Sequence, residues 1–359
     1  MNRKWWLISA ASAILAVSVA ACGSSSSSSS GGASGTIAGS GSSAQQAAEQ
    51  AWTAKFEGDN SGATVTYDAI GSGGGRDAFI AGGNTAFAGS DAPFDSTELP
   101  NATKRCAPGD LVQIPNYISP LAIVYNLSGV SNLQLSPETT AKIFKGEITT
   151  WDDPAIKADN PGVNLPTTKI TPVHRSDDSG TTSNFTDYLH GAAPSVWTFD
   201  PDGTWPLKTG ESGAQTSGLI QAVNAGDGTI GYADASQAQG LGVAKVKVGS
   251  TYVAPSAAGA AHDFDQSKKD PALSQGKYVF AYTVDRTPTD PTSYPLLLVS
   301  YLMGCTKYSD TSTTNLVKAY FAYVTSDAGQ QLAAQQAGSA PIPPTVKKED
   351  APAIAAIGG

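Results

Sequence analysis

The residues best placed to do chemistry gather in two short glycine- and serine-rich segments. These are Ala69-Ile70-Gly71-Ser72-Gly73-Gly74-Gly75 and Arg175-Ser176-Asp177-Asp178-Ser179-Gly180-Thr181-Thr182. Hydroxyls, small residues and a single arginine at this spacing suit the holding of an anion. Each segment follows a strand-like run (64–67, 169–173) and precedes a helix-like run (78–80, 183–189). A turn from strand into helix aims free backbone N–H groups and the positive end of the helix dipole at one point, which favours an oxyanion. Two such turns, one carrying Arg175, predict an oxyanion gripped between two lobes.

Other patterns in the same residues fail on inspection. A dinucleotide fingerprint starting at Gly71 would need its last glycine at position 76, which is Arg76. Gly210-Glu211-Ser212-Gly213-Ala214 lacks the closing glycine of a hydrolase elbow. His174, His190 and His262 are scattered and there is no CxxC, so no metal site and no cofactor is expected. No set of nucleophile, base and acid stands out, and no catalytic residue is assigned. Read alone, the run 71–75 is equally a flexible loop. Asp177, Asp178 and Ser179 are equally helix N-caps, although a cap turn and an anion site use the same backbone donors.

The elements that must position these turns alternate along the chain. Helices are expected over 44–56, 76–81, 139–144, 219–224, 315–324 and 327–336. Strands are expected over 64–67, 85–89, 111–114, 121–125 and 229–232, with a buried strand in the apolar run 295–303. The alternation predicts α/β architecture with largely parallel pairing.

The chain ends carry other information. Arg3 and Lys4 precede an apolar stretch that closes on Val19-Ala20-Ala21-Cys22, which resembles a bacterial lipobox, so 1–21 reads as a signal peptide and Cys22 as a lipidated N-terminus. A Ser/Gly-rich tether is expected over 22–35. With Cys22 lipidated, Cys106 and Cys305 are an even pair outside the cytoplasm, which points to a disulfide. The net charge of −9 argues against nucleic acid as a partner. It does not exclude a bound anion, because donors in a cleft act at hydrogen-bond distance while surface charge is screened beyond about 8 Å.

Several motifs, in order, carry a resemblance that spans nearly all of the chain after the tether. They are Gly39-Ser40-Gly41-Ser42-Ser43, Ile70-Gly71-Ser72-Gly73-Gly74-Gly75, Gly89-Ser90-Asp91-Ala92-Pro93, Ile143-Phe144-Lys145-Gly146-Glu147-Ile148-Thr149-Thr150-Trp151, Arg175-Ser176-Asp177-Asp178-Ser179-Gly180-Thr181, Gly228-Thr229-Ile230-Gly231-Tyr232 and Ser293-Tyr294-Pro295-Leu296. The ordered set resembles the PstS family, the phosphate-binding proteins of bacterial phosphate ABC transporters, of the type II periplasmic-binding-protein fold and in its actinobacterial lipoprotein form.

That resemblance implies two lobes joined by two crossing strands, with ligand in the cleft between them. The first lobe would comprise 36–120 and 294–359, and the second lobe 121–293. It implies a phosphate site of Ser43, Ala44, Ser72, Asp91, Arg175, Ser179, Gly180 and Thr181, with Asp91 as acceptor and Asp177 orienting Arg175. Many relatives have Thr-Phe where this chain has Ser43-Ala44, so the hydroxyl survives and the aromatic does not. The implied function is capture of inorganic phosphate and its delivery to a permease, by a monomer held to the outer face of the membrane through lipid alone. The alternatives are a binder of another tetrahedral oxyanion, a secreted phosphatase-like enzyme, and a surface adhesin with a vestigial cleft.

Overall fold

The structure is a computed structural model that describes residues 32–359. The signal peptide and the lipidation position Cys22 lie outside the described residues. Strand β1 (Ser34–Gly41) pairs in parallel with β2 (Gly62–Asp68) and β3 (Thr85–Ser90). Parallel neighbours need crossovers, and helices supply them here: α1 (Gln46–Asp59) follows β1 and α2 (Ser72–Ala81) follows β2. Helix α3 (Leu99–Cys106) follows β3.

Two local expectations change. Strand β1 begins at Ser34, two residues inside the segment read as tether. Ser34 and Gly35 pair with Gly62 and Ala63, a backbone interaction to which a Ser/Gly composition is no obstacle. Helix α2 begins at Ser72, so Gly73, Gly74 and Gly75 are its first turn rather than a loop before it.

The runs 111–114 and 121–125 are one strand, β4 (Leu111–Asn126), 16 residues long. Pro115 and Pro120 lie within it, although proline cannot donate to a ladder. The partner strand β8 (Leu297–Cys305) shows how Pro115 is accommodated. Ser300 stands opposite Tyr117 and Tyr301 opposite Pro115, so Asn116 is the extra residue of a β-bulge. The other edge of β4 pairs antiparallel with β7 (Thr229–Asp234). Strand β5 (Thr171–Arg175) then runs parallel to β7 and to β6 (Glu211–Gly213). The order is β2-β1-β3-β8-β4-β7-β5-β6. Pairing is parallel toward the two ends and antiparallel across the three central contacts, β3–β8, β8–β4 and β4–β7.

Side-chain alternation divides the cores. Phe87 of β3 enters one with Ile37, Trp52, Phe56 and Tyr320, while its neighbour Ala88 enters another with Phe79, Phe94 and Met303. Along β4, Val112, Ile114 and Tyr117 belong to the first of these cores and Ile118 to the second. From Leu121 to Tyr125 the strand belongs to a third core, with Trp151, Phe185, Trp197 and Tyr232. Helices α4 (Pro137–Lys145), α5 (Pro154–Asp159), α6 (Gly180–Ala192) and α7 (Gln215–Asn224) contribute to that third core. Helix α8 (Ala257–Phe264) returns to the second core. Helices α9 (Thr311–Val324) and α10 (Asp327–Ala337) cover the first core, and α11 (Pro344–Ala356) lies across the first and second. Cys106 and Cys305 are joined as a disulfide, Cα to Cα 5.2 Å, tying the end of α3 to the end of β8.

Candidate functional site

Three helix starts meet at Asp91, one residue beyond β3 and only 2% exposed. Ser42, in the turn before α1, donates its hydroxyl to Asp91 Oδ2 at 2.7 Å. Thr181, second residue of α6, donates to the same oxygen at 3.1 Å. Ser72, first residue of α2, reaches it at 3.5 Å and accepts the Asp91 backbone N–H at 3.1 Å. The other oxygen, Oδ1, accepts from Ser300 at 2.8 Å and from the Gln45 amide at 3.5 Å. A buried polar group needs such partners, and here five residues from four separate places in the chain supply them.

Helix α6 docks closely on this residue. Asn184 donates its amide to the Asp91 carbonyl at 2.6 Å. A Cβ on Gly180 would stand 2.7 Å from Ser72 Oγ and 2.8 Å from Asp91 Cβ. Only glycine lets the start of α6 come so near. Ser179 caps α6, its hydroxyl accepting the Thr182 N–H at 3.2 Å.

Arg175 ends β5 and is 3% exposed. Its Nε donates to Asp177 Oδ1 at 2.7 Å and its Nη2 pairs with Asp177 Oδ2, so the guanidinium is held in a forked ion pair. A Cβ on Gly71 would lie 3.5 Å from Arg175 Nη2, which places the arginine against the first glycine turn. Above it, Asp178 links the two turns. Its carbonyl accepts the Gly73 N–H at 3.2 Å, and its carboxylate lies 3.5 Å from Arg76 Nη2. Burial pushes the Asp178 carboxyl up from its usual range; Arg76 opposes this, and Asp202, Asp77 and Asp177 add to it.

The structure thus brings Ser72, Asp91, Gly180 and Thr181 together, with Arg175 and Asp177 alongside. Ser43, expected among the donors to phosphate, stands beside α7. The Ser43 hydroxyl lies 3.0 Å from that of Thr216 and accepts the Thr216 N–H at 2.9 Å, while the hydroxyl on Asp91 is that of Ser42. The Ala44 N–H donates to Ser42 Oγ at 3.1 Å, and Gln237 donates to the carbonyls of Ser43 and Ala44. Sequence reasoning passed over Ser42, Gln45, Asn184 and Ser300. Ser300 had left a signal: it is the one serine in the apolar run 295–303, and a hydroxyl in a buried strand needs a partner.

A cavity of 580 Å³ opens beside Asp91, and carboxylates, among them Asp95, Asp187 and Asp202, are a minority of its lining that still outnumbers its two arginines, Arg76 and Arg286. The guanidinium groups facing it are already committed, Arg76 to Glu98 and Arg286 to Asp187. Among the described residues, no group of three or more His, Cys, Asp or Glu is arranged to hold a metal ion.

Residues 26–328 match the family model described as a PBP superfamily domain. The chain is 36% identical over 325 residues to phosphate-binding protein PstS2 of Mycobacterium bovis (strain BCG / Pasteur), covering 89% of this chain and 86% of that protein. It is 36% identical over 327 residues to phosphate-binding protein PstS 3 of Mycobacterium leprae, covering 90% and 87%. Among solved structures it resembles a high-affinity periplasmic phosphate-binding protein, PfluDING, with phosphate bound at pH 8.5. That match has a TM-score of 0.72 at 25% identity and covers 88% of this chain and 92% of the other. An α/β sheet whose helix starts converge on one buried aspartate, with these relatives along almost its whole length, identifies the chain as a member of the PstS family of phosphate-binding proteins within the periplasmic-binding-protein superfamily.

Proposed function

We propose that this protein captures inorganic phosphate around Asp91 and hands it to the permease of an ABC importer. The observation that carries the reading is the convergence of three helix starts, with their hydroxyls, on Asp91 Oδ2. Phosphate near neutral pH carries one or two protons, so its site needs many donors and at least one acceptor. The N–H groups of α2 and α6 and the hydroxyls of Ser72 and Thr181 are the donors. Asp91 is the acceptor, and Arg175, oriented by Asp177, supplies the positive charge. Gly180 and Ser179 contribute as the start of α6. Ser43 would add its hydroxyl and Ala44 its backbone N–H, and Ser42 brings its hydroxyl onto Asp91 Oδ2.

The lobes would be 36–120 with 294–359, and 121–293; the change of core along β4 between Ile118 and Leu121 supports the boundary near 120, whereas α8, Val279 and Val284 pack in the second core with the first lobe. Lipidation at Cys22 would anchor a monomer to the outer face of the membrane, and Cys22→Ser should release it. Binding rather than turnover is the expected activity. The excess of carboxylates over arginines in the cavity beside Asp91 disfavours ligands with further negative groups, such as polyphosphates. Calorimetry on protein stripped of endogenous phosphate tests the reading. Saturable binding of one phosphate per chain, with no hydrolysis of a phosphomonoester, is expected; absence of binding overturns it.

A further inference from the structure

The Asp91 carboxylate is held from behind by a chain of buried side chains that ends on the bulge between the two central strands. Ser300 of β8 donates to Oδ1 at 2.8 Å and Gln45 at 3.5 Å. Gln45 is itself held, its Oε1 accepting from the Asn116 amide at 3.1 Å. The Asn116 carbonyl accepts from Gln330 at 2.9 Å, which fixes the bulge to α10. Gln45, Asn116 and Ser300 are all 0% exposed.

The geometry divides the work between the two oxygens of Asp91. Oδ2 faces the hydroxyls of Ser42, Ser72 and Thr181; Oδ1 faces Ser300 and Gln45. The torsion that turns a carboxylate plane is broad and roughly two-fold, so the side chain's own preferences do not hold it. Pinning Oδ1 fixes where Oδ2 points. The bulge makes this possible. It absorbs Pro115, takes Asn116 out of the ladder and re-aims its side chain toward Gln45, at the start of α1.

We propose that Ser300, Gln45 and Asn116 are positioning residues for Asp91, and that through it they set the preference for a protonated tetrahedral oxyanion over an unprotonated one. The inference rests on the phosphate reading. A fixed acceptor at Oδ2 rewards an oxygen that carries a proton and repels one that does not. A carboxylate free to turn relaxes both effects. A role in stability alone would weaken phosphate and sulfate together and leave their ratio unchanged.

The test is competition calorimetry with inorganic phosphate and sulfate on the wild type, Ser300→Ala, Ser300→Thr and Gln45→Met, alongside thermal unfolding of each ligand-free protein. Ser300→Ala is expected to lower the phosphate-to-sulfate affinity ratio by about tenfold or more, the scale of one charge-assisted hydrogen bond. Ser300→Thr keeps the hydroxyl and should restore most of the ratio. Gln45→Met keeps the length, removes the donor and should shift the ratio the same way by a smaller factor, so the test survives if one variant misfolds. Unchanged ratios in both Ser300→Ala and Gln45→Met overturn the inference while leaving phosphate binding intact. A wild type that binds no phosphate overturns the functional reading itself.

Discussion

Adding one methyl group at Gly73 should block the closing of the site without harming the fold. Gly73 lies in the first turn of α2, on the side of the first cores, and Asp178 lies before α6, on the side of the third. A Cβ at Gly73 would overlap Cβ, Cγ and Oδ2 of Asp178, and the Gly73 N–H already donates to the Asp178 carbonyl. Within α2 alone, Gly73→Ala is favourable by roughly 0.5–1 kcal/mol. Across the cleft it is an overpacking substitution, with a cost on the order of 1–3 kcal/mol. We expect the two turns to part in the ligand-free protein, so that the cost appears in binding. Phosphate affinity should drop by about 5- to 150-fold, while the ligand-free protein unfolds at the same temperature or a higher one. Asp178→Gly removes the obstructing side chain, so the double variant Gly73→Ala/Asp178→Gly should bind better than the two single effects predict, as a double-mutant cycle would show. Calorimetry on the four proteins decides it. Near-wild-type affinity in Gly73→Ala, with the fold intact, would refute the idea that this contact forms on binding.

Other outcomes follow from the same geometry. Asp91→Asn keeps the shape of the acceptor, removes its charge and can donate through its amide, so sulfate should gain relative to phosphate while arsenate follows phosphate. An unchanged phosphate-to-sulfate ratio in competition calorimetry counts against Asp91 as the discriminator. Arg175→Ala should weaken phosphate binding by about 2–3 kcal/mol, and Arg175→Lys should recover only part because the fork is lost. Titration of both variants checks this, and wild-type affinity in the alanine variant would count against the role. Stability should also depend on pH. Burial pushes the Glu49 carboxyl up to about 7, with the Tyr320 hydroxyl opposing, and its Oε1 has no partner among the described residues. A carboxyl raised in the folded state stabilises fully below its unfolded value, and that contribution is lost as pH rises through the folded one. Between pH 4.5 and about 8 the loss is on the order of 3 kcal/mol. Glu49→Gln should flatten the profile of urea-unfolding free energy over that window, and identical slopes in the two proteins would contradict the assignment.

Much of the site could be read along the chain because its pieces are local. Strand, small-residue turn and helix follow one another at 62–81 and at 171–192, and such a turn exposes backbone donors wherever it occurs. Arg175 and Asp177 are two residues apart, so their pairing needs little more than the turn itself. Asp91 follows a short strand in a recognisable motif. What could not be read along the chain joins distant segments. Ser42 and Ser43 are the same residue type side by side. Which hydroxyl meets Asp91 depends on the direction of the loop and on Thr216, which lies 173 residues from Ser43 and takes up its hydroxyl. That 111–114 and 121–125 are one strand was likewise not legible locally, because Pro115 between them sits at a bulge that exists only through pairing with β8.

The sequence by itself determined the α/β alternation and the two small-residue turns that lead from strand into helix, since each follows from residue types a few positions apart. It also pointed to the bridge between Cys106 and Cys305, which the fold then made between two chain segments 199 residues apart. The tertiary structure alone decided what stands around Asp91. Ser300 is 209 residues away, and Gln45 reaches Asp91 while held by the bulged Asn116. No local pattern encodes such contacts, because they depend on strand order and register, and a one-residue change of register turns every side chain to the opposite face.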